Sequence, residues 1–223
     1  MATTSDHLWA PTPESIAASN IGQFVEWLHD RGTGTFDSYD ALWRWSVDDI
    51  AGFWAAVWAF FDLQAGVPYS HVLDHSTMPG TKWFVGARLN YAEHILRHHG
   101  DRPAIIGHSQ TRPTSSLTWD QLAEQVGRAQ LGLRRLGVGR GDRVAAYLPN
   151  VPETVIAFLA TASLGAVWTS CAPEFGVQAV LDRFGQIDPM VLLVVDGYMY
   201  GSRDIDRRAE VAAQARGRSA LEG

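Results

Sequence analysis

Apolar and polar positions recur with two different periods along this chain. Between residues 46 and 63, Ile50, Phe53, Trp54, Val57, Trp58 and Phe61 return three and four apart, the spacing of one broad apolar helical face. Ser46 and Asp49 precede them as S-x-x-D, a pattern in which the serine oxygen accepts from a free helical N–H, so the helix is expected to start at Ser46. Residues 14–30 predict a second helix stopped near Gly32 and Gly34, and residues 89–99 a third stopped by Gly100. The intervening stretch 68–84 reads as irregular. This half is expected to form a helical layer that packs its aromatic side chains onto another element.

From residue 104 the period changes. Residues 104–108 and 114–117 read as short strands around a turn at 110–113. Thr118 and Gln121 form a capping box, Leu122, Val126, Ala129, Leu133 and Leu136 line one helical face, and Gly137 is placed to end that helix in the left-handed conformation. Residues 143–148, RVAAYL, are a near-continuous apolar run of the kind buried on both faces of a parallel sheet. Pro152 suits a first helical turn and Glu153 the positive end of the helix dipole. A helix over 152–164 then stops at Gly165, a strand covers 166–170, a helix over 177–187 is broken by Pro189, and a strand covers 190–195. Strands starting near 143, 166 and 190, separated by helices, give the rhythm of a parallel sheet. Doubly wound sheets usually carry more strands than these three, and the tail from Gly201 shows no further one. The expected fold class is therefore α/β: a helical N-terminal segment (1–100) packed on an incomplete doubly wound parallel sheet (101–200), followed by a divergent tail (201–223).

Composition narrows the function classes. With 223 residues, of which 46% are hydrophobic and 19% charged, the chain is expected to fold around a core rather than remain disordered. A net charge of −6 argues against a nucleic-acid partner. Apolar stretches break well short of the ~20 residues that span a bilayer, so no membrane association is expected. The opening MATTSDHLWAPTPES has neither a basic nor an apolar leader region, and Cys171 stands alone, so a cytoplasmic protein without disulfides is expected. Seven of the nine Trp and seven of the eight His fall within residues 1–100.

Several motifs invite chemistry and are better read as structure. Gly137-Val138-Gly139-Arg140-Gly141 follows a helix and precedes a strand, the reverse of a dinucleotide-binding glycine loop, so it reads as a helix stop and tight turn. Lys82 is the one lysine among 18 basic residues, and no G-x-x-x-x-G-K-[ST] loop exists. His71 with His75, and His94 with His98, have chelating spacing but lack the H-E-x-x-H context and a cysteine partner, so no metal site is expected. Cys171 reads as a loop or strand-end thiol. Ligands of open α/β sheets sit beyond the carboxyl ends of the strands, which here are 148–150, 170–174 and 196–198, with Arg203 following as a possible phosphate contact or as a solvated partner of Asp204 or Asp206.

The segments RVAAYLPNVPETVIAFLATASLGAVWTS and CAPEFGVQAVLDRFGQIDP resemble the N-terminal part of the acyl-CoA synthetases of the adenylate-forming superfamily, with the acetoacetyl-CoA synthetases as the nearest group. Upstream, SYDALWRWSVDDIAGFWAAVWAF and MPGTKWFVGARLNYAEHIL resemble the helical N-terminal segment of acetyl- and acetoacetyl-CoA synthetases, and the likeness extends over about residues 30–212. The resemblance implies a two-step ligase in which ATP and a carboxylate give an acyl-adenylate and pyrophosphate, and the thiol of coenzyme A then displaces AMP. ATP, Mg²⁺ and CoA are implied for the complete parent enzyme. The phosphate loop and the C-terminal domain with its catalytic lysine are absent from these residues, so no catalytic residue is assigned and the isolated chain is expected to be inactive. By resemblance, the CoA nucleotide lies near Cys171, Ala172, Pro173 and Glu174 and near basic residues after the third strand. There Gly197-Tyr198-Met199-Tyr200-Gly201-Ser202-Arg203 stands where GYRYGGK is expected, so Arg203 takes the place of the lysine and Met199 that of the arginine. Beyond Val211 the likeness is expected to end, as an early stop or frame change would produce. The alternative is a non-catalytic CoA- or nucleotide-binding module, or one that pairs through its exposed sheet edge with a separately encoded C-terminal half. A nicotinamide oxidoreductase would need the strand–glycine loop–helix that is missing.

Overall fold

The structure, a computed structural model, describes residues 9–212. The opening residues 1–8 and the closing segment 213–223, with most of the tail where the likeness was expected to end, lie outside the described residues. The chain forms two compact units, Met1–Arg88 and Leu89–Gly223.

Among the described residues the first unit is built from four helices and a hairpin. The helix expected over 14–30 is divided into α1 (Pro13–Ala18) and α2 (Asn20–Asp30) at Ser19, whose hydroxyl donates to the Ile16 carbonyl at 2.6 Å and accepts from the Gly22 N–H at 3.0 Å. The helix expected from Ser46 is likewise two: α3 (Tyr39–Asp48), capped by Ser38, and α4 (Ile50–Phe60). Ser46 is therefore no cap. It lies inside α3 and donates to the Trp43 carbonyl, whereas the Asp49 carboxylate caps α4 by accepting from the Gly52 N–H at 2.9 Å. Phe24, Leu28, Leu42 and Ala56 form the buried core, surrounded by Trp27, Phe36, Trp45, Phe53 and Phe60.

The single apolar face expected for α4 is also corrected. Phe53, Val57 and Phe60 enter the core, while Trp54 meets Trp83 edge-on at 5.9 Å and Trp58 meets Phe84 at 4.6 Å. Trp54 remains 40% exposed. Those partners belong to a hairpin inside the stretch read as irregular: β1 (His71–Leu73) pairs antiparallel with β2 (Trp83–Val85). Asp74 secures it, one carboxylate oxygen accepting from the N–H groups of His75 (2.8 Å) and Lys82 (2.9 Å).

The second unit begins with α5 (Tyr91–Ile95), shorter than the helix expected over 89–99 and capped by the Asn90 side chain. An antiparallel pair, β3 (Pro103–Gly107) and β4 (Ser115–Thr118), leads into α6 (Trp119–Arg135), whose Thr118–Gln121 capping box is fully formed. Leu122, Val126 and Leu133 are buried, but Leu136 is the C-cap and 61% exposed, and Gly137 ends the turn at φ +87°. There follow β5 (Arg143–Tyr147), α7 (Pro152–Ser163), β6 (Val167–Cys171), α8 (Val177–Gly185) and β7 (Val191–Val194). The three strands form a parallel sheet in the order β6-β5-β7, with Val144 opposite Trp168 and Val191, and Tyr147 opposite Cys171 and Val194.

Side chains of β5 alternate between two cores. Val144 packs with Leu122, Val126, Ile156 and Leu159 of α6 and α7, whereas Ala145 and Tyr147 pack with Val180 and Phe184 of α8. Helices thus cover opposite faces of one parallel sheet, which makes the unit α/β and doubly wound. The tail was expected to hold no strand, yet β8 (Gly197–Tyr200) and β9 (Arg203–Asp206) form an antiparallel hairpin. Among the described residues no helix is long and apolar enough to cross a membrane.

Candidate functional site

The chain leaves β5 by α7 on one face of the sheet and returns to β7 by α8 on the other. The order therefore changes direction between β5 and β7, and it is beyond the carboxyl ends of strands at such a switch point that doubly wound sheets take ligands. Three loops meet at that end of the sheet. The Leu148 N–H donates to the Cys171 carbonyl and the Val195 N–H to the Tyr147 carbonyl, both at 3.3 Å, so each loop is joined to the next where the ladder stops.

Ala172, Pro173, Glu174 and Phe175 form a tight turn, closed by the Phe175 N–H donating to the Ala172 carbonyl at 3.1 Å. Beneath it the Tyr147 hydroxyl, on a fully buried side chain, reaches the carbonyl oxygens of Pro173 (2.6 Å) and Phe175 (2.7 Å). Burial pushes the Tyr147 phenol above its ordinary pKa, against the opposing charge of Arg207. The Arg183 guanidinium lies 4.9 Å from the centre of the Phe175 ring. Of the four turn residues expected from the sequence, Cys171 is the last residue of β6 and 4% exposed, its side chain in the core beneath α8. Pro173 is also buried, Ala172 is half-buried, and Glu174 faces outward.

Arg203 is not brought to that turn by any hydrogen-bonded link. It is exposed and pairs with Tyr200 at the tip of the β8–β9 hairpin, three residues from the base and so about 10 Å along the strand. The residue at the base is Arg207, whose N–H donates to the Asp196 carbonyl at 2.7 Å. Its guanidinium donates to Glu210 (2.9 Å) and to the Tyr198 hydroxyl (3.2 Å), while its buried Nε has no acceptor among the described residues. The hydrogen bond to Tyr198, partly offset by burial, raises the Arg207 pKa. Nothing in the sequence separated Arg207 from Arg203 or Arg208, because its position depends on a hairpin that returns the chain to the sheet. Asp206, considered as a partner of Arg203, is instead engaged by Arg208, with Nη2 to Oδ2 at 2.6 Å. That hydrogen bonding lowers the Asp206 pKa from its ordinary 3.8 to about 2.

The remaining motifs take structural positions. The GVGRG segment is a helix stop and turn, with Gly137 and Gly141 at positive φ and the Gly139 N–H donating to the Asp142 carboxylate at 2.8 Å. His71 shares a hydrogen bond with Ser70, and His75 lies against Asp74. Among the described residues no three His, Cys, Asp or Glu side chains gather closely enough to hold a metal ion. A cavity of about 530 Å³ opens beside the start of α7, lined by Ile105, His108, Arg112, Asn150 and Glu153, and an exposed Arg112–Glu153 ion pair at 3.0 Å crosses it.

Residues 92–221, more than half of the chain, match the model of the AMP-binding enzymes, so the likeness runs past Val211, where it was expected to end. The chain belongs to that family. Residues 39–95 match the acetyl-coenzyme A synthetase N-terminus, so the first unit from α3 onward is similar to that segment. An acetoacetyl-coenzyme A synthetase of Rhizobium meliloti (strain 1021) is 42% identical over 212 residues, which are 94% of this chain and 33% of that protein. A malonamoyl-CoA synthetase of Penicillium aethiopicum is 35% identical over 83% of this chain and 27% of its own length. The solved acetoacetyl-CoA synthetase from Streptomyces lividans superposes with a TM-score of 0.90 at 48% identity, covering 95% of this chain and 33% of that one. The chain thus spans about a third of the length of these AMP-binding relatives.

Proposed function

We propose that this chain is the N-terminal portion of an ATP-dependent ligase that joins acetoacetate to coenzyme A, releasing AMP and pyrophosphate, and that by itself it does not catalyse the reaction. One observation carries the reading: the sheet and its carboxyl-end loops follow an acetoacetyl-CoA synthetase at a TM-score of 0.90 over 95% of the chain, at 48% identity. Adenylation of a carboxylate needs groups that cradle and neutralise a triphosphate and its Mg²⁺. Residues 1–223 contain no glycine-rich loop ending in lysine, and their one lysine, Lys82, lies in the first unit beside β2.

What these residues offer is a place for the nucleotide of coenzyme A. In this reading the turn of Cys171, Ala172, Pro173 and Glu174 contacts it, with Arg203 supplying charge toward its phosphates. Because the Cys171 side chain is buried, any contact there runs through the backbone. Acetoacetate as the acid is supported by the relatives at 42% and 48% identity, and the malonamoyl-CoA synthetase at 35% shows that related chains serve other acids. The reading also makes the chain cytosolic, in keeping with a single unpaired cysteine.

A second reading is favoured by the open sheet. Among the described residues β6 and β7 each pair on one side only, and Val167 at the β6 edge is 51% exposed, whereas parallel sheets are normally covered. In that reading the chain pairs with the remaining part of the ligase fold supplied separately.

The test is direct. Purified chain incubated with ATP, Mg²⁺, acetoacetate and coenzyme A is expected to form neither AMP nor thioester above a protein-free blank. Thioester formation that depends on ATP overturns the proposal of inactivity. Activity that appears only on adding a separately produced C-terminal part supports pairing.

A further inference from the structure

We propose that Tyr147 is the positioning residue of the 172–175 turn: its hydroxyl ties the turn to the central strand of the sheet and keeps Cys171 sealed beneath it. The part of this inference that concerns a ligand rests on the coenzyme A reading above. The positional part stands on geometry alone.

A buried tyrosine needs a partner for its O–H, and most find one where they can. Tyr147 does so in an unusual place, because both acceptors are carbonyls of one turn and neither belongs to the sheet ladder. A phenol carries a single proton, so Pro173 and Phe175 share it, and both carbonyls are held toward β5 together. Beyond the packing of Pro173 and of the Phe175 ring, the turn has few polar ties: its internal link is the Phe175 N–H to Ala172, the ladder contact at its root is a 3.3 Å bond from Leu148 to Cys171, and Gly176, the N-cap of α8, offers no side-chain cap. β5, by contrast, is the central strand, with Val144 to Tyr147 fully buried. The hydroxyl thus transmits the rigidity of the sheet to a turn whose outward groups, Glu174 among them, are those proposed to meet a ligand. Removing the hydroxyl leaves the aromatic packing with Val180 and Phe184 in place and releases only the turn.

Cys171 makes this measurable, since it is the one cysteine in the chain and lies buried in the cluster of Tyr147, Val180 and Phe184 against which Phe175 of the turn packs. The experiment compares the rate at which iodoacetamide labels Cys171 in the 223-residue chain and in Tyr147→Phe, well below the melting temperature, with and without desulfo-coenzyme A. The expected result is labelling about tenfold faster in Tyr147→Phe, the effect of losing one such hydrogen bond, while the melting curve remains cooperative. In the wild type, desulfo-coenzyme A is expected to slow labelling, and Tyr147→Phe to need more of it for the same protection.

Faster labelling without ligand protection upholds Tyr147 as the positioning residue and removes the coenzyme A reading. Unchanged labelling in a folded Tyr147→Phe, with protection intact, overturns Tyr147 and leaves that reading standing. Should Tyr147→Phe fail to fold, the wild-type hydroxyl proton is read by NMR. Slow exchange with water supports the tie, and exchange as fast as that of free tyrosine overturns it.

Discussion

The Asn90 side-chain amide donates to the carbonyl of Ala162 at 2.8 Å, while its oxygen accepts from the N–H groups of Ala92 and Glu93. One side chain therefore caps α5 and binds it to the end of α7, 72 residues away. Leu89, Asn90 and Tyr91 begin the second unit, so this bond fastens the start of that unit to its doubly wound core. Asn90→Ala removes both roles and is expected to lower stability by about 1–2 kcal/mol, read from urea unfolding of the chain. An unchanged midpoint would remove the link from the list of stabilising contacts.

Asp49 and Ser46 offer a paired test in the first unit. Asp49→Ala should cost about 1 kcal/mol by leaving the start of α4 uncapped, whereas Ser46→Ala should change stability by less than about 0.5 kcal/mol. Equilibrium denaturation followed by tryptophan fluorescence suits this unit, because it holds most of the tryptophans. Equal losses for the two variants would mean that Ser46 does cap a helix.

Gly137 carries a backbone cost that no side-chain contact reveals. At φ +87° an alanine is strained, and its Cβ would stand 3.1 Å from the mobile end of Met190, which can yield. Gly137→Ala is expected to destabilise by about 1–2 kcal/mol, most of it conformational. Gly127→Ala, within α6 and with open space at its Cβ, is expected to stabilise by up to about 1 kcal/mol, and thermal melts of the two variants should shift in opposite directions.

Asp206 should titrate well below its ordinary value. Arg208 holds its pKa at about 2 against an ordinary 3.8, so its favourable contribution is fully present above pH 4 and is lost as the pH falls through about 2. A carboxyl NMR titration of wild type should give that midpoint, and Arg208→Ala should return it to the ordinary range. A midpoint near 4 in the wild type would mean that the Arg208 pair does not persist in solution.

Much of the second unit was legible in the sequence because its signals are local. After Arg143, VAAYL is apolar since β5 is covered on both faces, Thr118 and Gln121 cap one another within three residues, and Gly137 sits where a helix must stop. The caps at Ser19 and Asp49 were harder to read, because apolar spacing runs through both breaks and S-x-x-D admits two different capping oxygens. Both missed hairpins have strands of three or four residues, too short for a period to show. β1–β2 depends on Asp74 binding backbone N–H groups across the turn, and β8–β9 returns Arg207 to Asp196. At the site, the sequence places a loop after the strand ending near Cys171, whereas the turn itself runs over 172–175 with Cys171 inside β6. Tyr147 looked like one more core residue in an apolar run, since only the folded chain brings the Pro173 and Phe175 carbonyls over its hydroxyl.

The measurement that bears most directly on the proposed function is a ¹H–¹⁵N NMR titration of the 223-residue chain with coenzyme A. Shifts that saturate and cluster at Ala172, Glu174 and Phe175, extending to Arg203, are the result expected of a ligase portion that receives the coenzyme at the carboxyl end of its sheet. Spectra unchanged across the titration, or shifts confined to the first unit, would contradict it.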